Sequence, residues 1–120
     1  CHAPDHTKKA ALEAAGVTVL EAALLGGHVS IRDCLAQLGQ RGLDSVLIEG
    51  GASIHAAALQ AGCCDLVQVY VAPKLFGGDG LSPIGSMGIT TPDEAVLLSE
   101  PVITHLGQDL LLEYTRKEMD

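Results

Sequence analysis

The stretch Val46-Leu47-Ile48-Glu49-Gly50-Gly51-Ala52-Ser53 decides how this chain is read. Residues 45–48 form an apolar run short enough for a strand buried on both faces. The run ends in a carboxylate and two glycines, and an Ala-rich helix follows over about residues 52–61. Glycine removes the Cβ that would hold backbone and ligand apart. The first N–H groups of the helix, at Gly51, Ala52 and Ser53, have no acceptor within it. With the helix dipole they offer roughly half a positive charge to an anion. A diphosphate suits that corner even on an acidic protein, because the attraction is local and comes from backbone. In a parallel sheet such a turn lies outside the carboxyl ends of the strands, where ligands bind. Gly50 and Gly51 equally suit a plain tight turn, since the full G-x-G-x-x-G pattern is absent.

Outward from this unit, the pattern alternates between helix and strand with glycine at the joints. Pro4 and Asp5 open a helix whose Ala11, Leu12 and Ala15 share a face, and Gly16 stops it. Residues 17–20 read as a short strand, and Gly26 and Gly27 break the chain. Ser30 and Asp33 match a capping box, with hydroxyl and carboxylate each accepting a backbone N–H. Ile31, Leu35 and Leu38 then lie along one helical stripe that ends at Gly39 and Gly42. After the Ala-rich helix, residues 66–72 read as a strand and residues 73–91 as a long loop. Residues 95–106 and 110–115 read as extended segments joined by a tight turn at Gly107 and Gln108. The order predicts an α/β fold: a mainly parallel sheet flanked by helices, with a C-terminal antiparallel strand pair.

The chain has 120 residues, 48% hydrophobic, with 7 basic against 15 acidic side chains and a net charge of −8. Its aromatics are Tyr70, Phe76 and Tyr114. Such a chain has neither a basic stripe nor a base-stacking platform, which argues against nucleic acid as a partner. No apolar run approaches the ~20 residues that span a bilayer, which argues against a membrane. Cys1, Cys34, Cys63 and Cys64 lack C-x-x-C spacing and read as free thiols of a reducing cytoplasm. Cys1 with His2 and His6 is a weak metal pattern at a chain end, so no metal is expected. The first residue is not Met, and the expectation is a chain that starts inside a longer protein.

Among single residues, Glu49 stands out. A carboxylate at the end of an apolar strand is poorly explained by packing, and it can accept from a sugar hydroxyl, a ring N–H or an amine. A strand-end acid reaching solvent is the plainer reading. Lys74, in Pro73-Lys74-Leu75-Phe76-Gly77-Gly78, is the nearest cation, suited to a phosphate or simply to solvent. His55 lies one turn into the helix, while His28 and His105 are isolated. No G-x-S-x-G elbow, H-E-x-x-H helix, P-loop or zinc-deaminase signature occurs.

Leu47-Ile48-Glu49-Gly50-Gly51, then Asp65, then Tyr70-Val71-Ala72-Pro73-Lys74-Leu75 and Gly77-Gly78 resemble one known family. It is the C-terminal reductase domain of the bifunctional riboflavin-biosynthesis deaminase/reductase. The likeness runs from about Asp5 to Arg116 and rests on both motifs in this order. It implies a dihydrofolate-reductase-like fold, NADPH as cofactor, and reduction of 5-amino-6-(5-phosphoribosylamino)uracil to the ribitylamino compound. It implies that Glu49 contacts substrate and that Gly51, Ala52, Ser53, Ile54, His55, Ala56 and Ala57 contact the dinucleotide. No catalytic side chain is assigned, because hydride transfer is the cofactor's chemistry. The family also implies a homodimer.

Two departures from the family pattern bear on that reading. Asp65 is followed by Leu66 where the family often has Asp-Glu. The family's domain also begins well upstream, so residues 1–120 are expected to be the C-terminal portion of a single reductase domain. The competing readings are a related reductase of another pyrimidine or a pterin, and a non-catalytic dimerising or nucleotide-binding module.

Overall fold

The structure, a computed structural model, describes residues 1–117. Two compact units are distinguished, Cys1–Glu49 and a second beginning at Gly50.

In the first unit, α1 (His6–Ala14) starts where the Asp5 side chain accepts the Lys8 N–H at 2.8 Å, and it ends before Gly16 at φ +84°. Two short strands follow, β1 (Leu24–Leu25) and β2 (His28–Val29), paired antiparallel. The glycine pair that marked a break makes their turn. Gly26 and Gly27 have φ of +60° and +82°, the two positive values a type I′ hairpin turn demands. Helix α2 (Ile31–Gly39) opens on Ser30, whose Oγ accepts the Asp33 N–H at 3.2 Å. The expected capping box is only half made. The Asp33 carboxylate accepts from the Ala23 N–H at 2.7 Å and from Gln37 Nε2 at 3.1 Å, while the Ser30 N–H donates to the Ala23 carbonyl at 2.8 Å. A short Asp side chain serves the neighbouring hairpin where a Glu would reach back to its own helix. Lys9 and Glu21 add an exposed ion pair at 2.6 Å.

In the second unit, α3 (Ala52–Gln60) runs to β3 (Leu66–Val71), a long loop, β4 (Val102–Leu106) and β5 (Asp109–Thr115). The loop contains 3₁₀ turns at Gly77–Asp79 and Pro92–Glu94. The sheet order is β3-β5-β4, with Leu66 opposite Thr115 and Ile103 opposite Leu112. Gly107, φ +66°, makes the two-residue turn between β4 and β5. Val67, Val69 and Val71 share a face with Tyr114, Leu112 and Leu110, and such cross-strand pairs are worth about 0.2–1 kcal/mol each. On the other face Gln68 Nε2 donates to Glu113 Oε1 at 2.8 Å.

The α/β class holds, but the mainly parallel sheet does not form among the described residues, where both sheets are antiparallel. Residues 17–20 and 45–48, expected as parallel strands, belong to neither sheet. Leu47 is 75% exposed, not buried on both faces. An apolar run sets a strand's tendency, whereas a parallel ladder needs a non-local neighbour that the run itself does not specify. Among the described residues the buried apolar ones are Ala22, Ala56, Ala58 and Leu59, three of them on α3. Each α-helix there has nine residues, and none is long and apolar enough to cross a membrane.

Candidate dinucleotide site at the start of α3

The site is built on the step from Gly50 to α3. Gly50 has φ +154° and the Gly50–Gly51 peptide is cis. Gly51 is the N-cap of α3, and no side chain caps the helix. The Ile54 and His55 N–H groups both donate to the Gly51 carbonyl, at 3.0 and 3.2 Å. The Ala52 and Ser53 amides precede the first such bond and point out of the helix end. A Cβ built on Gly50 or Gly51 would meet no atom within 4 Å. The space beside Gly50 and Gly51 is therefore clear, and the first amides of α3 have no acceptor within the helix, as an anion-binding turn requires.

The residues expected at the dinucleotide separate by exposure. Gly51, Ser53 and Ile54 are exposed, and Ala52, His55 and Ala57 are half-buried. Ala56 is 4% exposed and faces the interior, so its side chain packs the core. His55 Nδ1 lies 2.8 Å from the Pro83 carbonyl. Because that oxygen only accepts, Nδ1 carries the proton. Glu49, which directly precedes Gly50, is exposed.

On its sequence the segment of residues 73–80 after β3 suits either a wall of the same cleft or a solvated surface loop. Leu75 within it and Leu81 just beyond it are fully exposed, and Phe76 is 79% exposed. The contact with α3 comes from further along. The Gly85 N–H donates to the Ala52 carbonyl at 2.9 Å, and Gln60 Nε2 donates to the Met87 carbonyl at 2.8 Å. Pro83, Gly85 and Met87 carry no signal in the sequence, because each contributes through its backbone.

The weak metal pattern at the chain start is engaged elsewhere. Cys1 Sγ donates to the Leu20 carbonyl at 3.4 Å, and His2 Nδ1 is 3.3 Å from the Ala22 carbonyl. Among the described residues no group of three or more His, Cys, Asp or Glu side chains could hold a metal ion. Burial, followed by the neighbouring Cys63 and Asp65, pushes the Cys64 thiol above its ordinary pKa.

Residues 2–112 match the model of the family described as RibD C-terminal domain. The chain is 41% identical over 100 residues to a riboflavin biosynthesis protein RibD of Actinobacillus pleuropneumoniae, covering 82% of this chain and 27% of that protein. It is 32% identical over 91 residues to a 2,5-diamino-6-ribosylamino-4(3H)-pyrimidinone 5′-phosphate reductase of Methanothermobacter thermautotrophicus, covering 75% of this chain and 42% of the relative. Among solved structures, Acinetobacter baumannii RibD superposes with a TM-score of 0.75 at 28% identity, over 95% of this chain and 30% of that one. The chain thus spans between about a quarter and two-fifths of the length of these relatives, and its RibD matches fall in their C-terminal part. On this agreement of sequence and fold, the chain belongs to the RibD C-terminal domain family.

Proposed function

We propose that these residues form the C-terminal portion of a single reductase domain that uses NADPH to reduce 5-amino-6-(5-phosphoribosylamino)uracil in riboflavin biosynthesis. The observation that carries the reading is the uncapped start of α3, with clear space beside Gly50 and Gly51. The Ala52 and Ser53 amides hold the pyrophosphate, and the exposed parts of Ile54, His55 and Ala57 line its approach. When bound, the dinucleotide would supply a hydride to C1′ of the ring-opened ribosyl imine, the C=N π-bond breaking as its nitrogen takes a proton from solvent. Glu49 accepts a hydrogen bond from a substrate hydroxyl, ring N–H or amine and so orients the sugar or base. The residues present fit that division of labour, since positioning is what the chain must provide.

Titration of NADPH into the complete protein and its Gly51→Val variant tests the cofactor assignment. A Cβ branch at the N-cap blocks the open corner, so the variant should lose binding; equal affinities would remove the assignment. Glu49→Gln should retain NADPH binding and lose turnover.

The Methanothermobacter relative favours a second reading of the substrate, a pyrimidine that still carries its 2-amino group. Turnover of the 2,5-diaminopyrimidinone in preference to the 5-aminouracil compound would select it. A homodimer and a cytoplasmic setting complete the proposal. Both β3 and β4 are sheet edges with exposed apolar side chains, including Tyr70, Val102 and Ile103, which a second copy would cover. All four cysteines are free thiols, as a reducing compartment keeps them.

A further inference from the structure

We infer that Gly85 and His55 are positioning residues for the dinucleotide site: they clamp the 83–87 loop onto the first turns of α3 and thereby aim the Ser53 amide. The inference rests on the reading of α3 given above, and adds to it a part of the chain to which no binding role has been given.

The link is one peptide unit. The Ala52 carbonyl, which accepts the Gly85 N–H at 2.9 Å, belongs to the same planar amide as the Ser53 N–H. A trans amide holds its C=O and N–H antiparallel. Whatever fixes the oxygen therefore fixes the direction of the hydrogen at the other end. Donation to the carbonyl also polarises the amide and makes its N–H a stronger donor, the cooperativity of hydrogen-bonded chains. Gly85 thus acts on the ligand-facing amide from behind, without touching the ligand.

The loop reaches that carbonyl because residue 85 lacks a side chain. A Cβ there would lie 3.2 Å from the Ala52 oxygen, 3.3 Å from its carbonyl carbon and 3.4 Å from the Ser53 Cα. All three are backbone atoms of a helix and cannot swing aside. Two further anchors hold the loop in register, His55 Nδ1 to the Pro83 carbonyl and Gln60 Nε2 to the Met87 carbonyl, each at 2.8 Å.

The test is carried out on the complete protein with Gly85→Ala, His55→Leu, His55→Asn, Ser86→Ala and Gly51→Val. Loss of one clamp should weaken NADPH binding about fivefold, the worth of one net hydrogen bond. KM for NADPH should rise by a larger factor than kcat falls. His55→Asn, which keeps an N–H donor, should recover part of what His55→Leu loses, and Ser86→Ala should bind as the parent does. A readout without dinucleotide is the amide resonance of Ser53, which should move in Gly85→Ala and stay in place in Ser86→Ala. If Gly85→Ala does not fold, the two His55 variants carry the same comparison. Parent-like binding and an unmoved Ser53 resonance in Gly85→Ala or His55→Leu, with binding lost in Gly51→Val, would overturn the clamp and leave the cofactor site standing. Parent-like binding in Gly51→Val would overturn both.

Discussion

The Arg116 guanidinium fills the space that a side chain on Gly62 would occupy. Gly62 lies just past the Ala61 C-cap of α3 and has φ +67°, so the last turn of that helix ends on a glycine with a cation beside it. Both features favour the exposed carbonyls of a helix end. Gly62→Ala should cost about 1 kcal/mol through the left-handed φ, and it must also displace the arginine. Urea unfolding measures it; unchanged stability would contradict the geometry. Arg116→Ala should cost less than about 1 kcal/mol, with the effect fading in high salt.

Asp33 ties α2 to the hairpin. Its carboxylate is the shared acceptor of the Ala23 and Gln37 donors. Asp33→Ala should destabilise by about 1–2 kcal/mol, and hydrogen exchange at the Ala23 amide should speed up. An unchanged Ala23 exchange rate would show that the bond does not persist in solution.

The Glu94 carboxyl is held below its ordinary pKa first by the Thr90 N–H, then by that of Thr91, with the Thr90 N–H at 2.9 Å and its hydroxyl at 3.3 Å. A depressed acid stabilises the fold above its unfolded pKa and loses that contribution as pH falls through the folded one. The Thr90–Glu94 turn should therefore stay ordered through neutral pH and loosen only below the ordinary carboxylate range. The Thr90 amide shift followed against pH reads this directly, and Glu94→Gln should abolish the titration.

The thiols should differ in reactivity. Cys1 is exposed, while Cys64 is half-buried and has its pKa raised chiefly by burial. Since the thiolate is the reacting form, limited alkylation at neutral pH should label Cys1 well before Cys64. Mass spectrometry of the digested protein would reveal the order, and faster labelling of Cys64 would refute it.

Much of the local structure was legible because it is local. Asp5 and Ser30 cap helices as their residue types predict, and Gly107 makes the β4–β5 turn. The Gly50–Gly51 step into α3 was legible for the same reason, as consecutive residues set a helix start. What escaped was non-local. Residues 17–20 and 45–48 carry a strand's composition but no information about a neighbour. Residues 95–101 looked extended, and Leu98 does pair antiparallel with Arg116 in an isolated bridge; continuous strand β4 starts only at Val102, just after Pro101, which lacks the N–H a ladder needs. The hairpin at Gly26–Gly27 was missed because two-residue strands are too short to show alternation. The Gly85 contact was invisible for another reason: it joins backbone to backbone across the fold, and no side-chain type announces such a meeting.

Among the described residues, three of the four buried apolar ones lie on α3, the helix whose opening turn has no side-chain cap. Under the proposed function, cohesion and ligand capture share one rod. NADPH seated there would be coupled by mass action to the folding equilibrium of its unit, so at a hundred times its dissociation constant it should add about 2.7 kcal/mol of resistance to unfolding. Cofactor supply would then double as protection against heat and proteases.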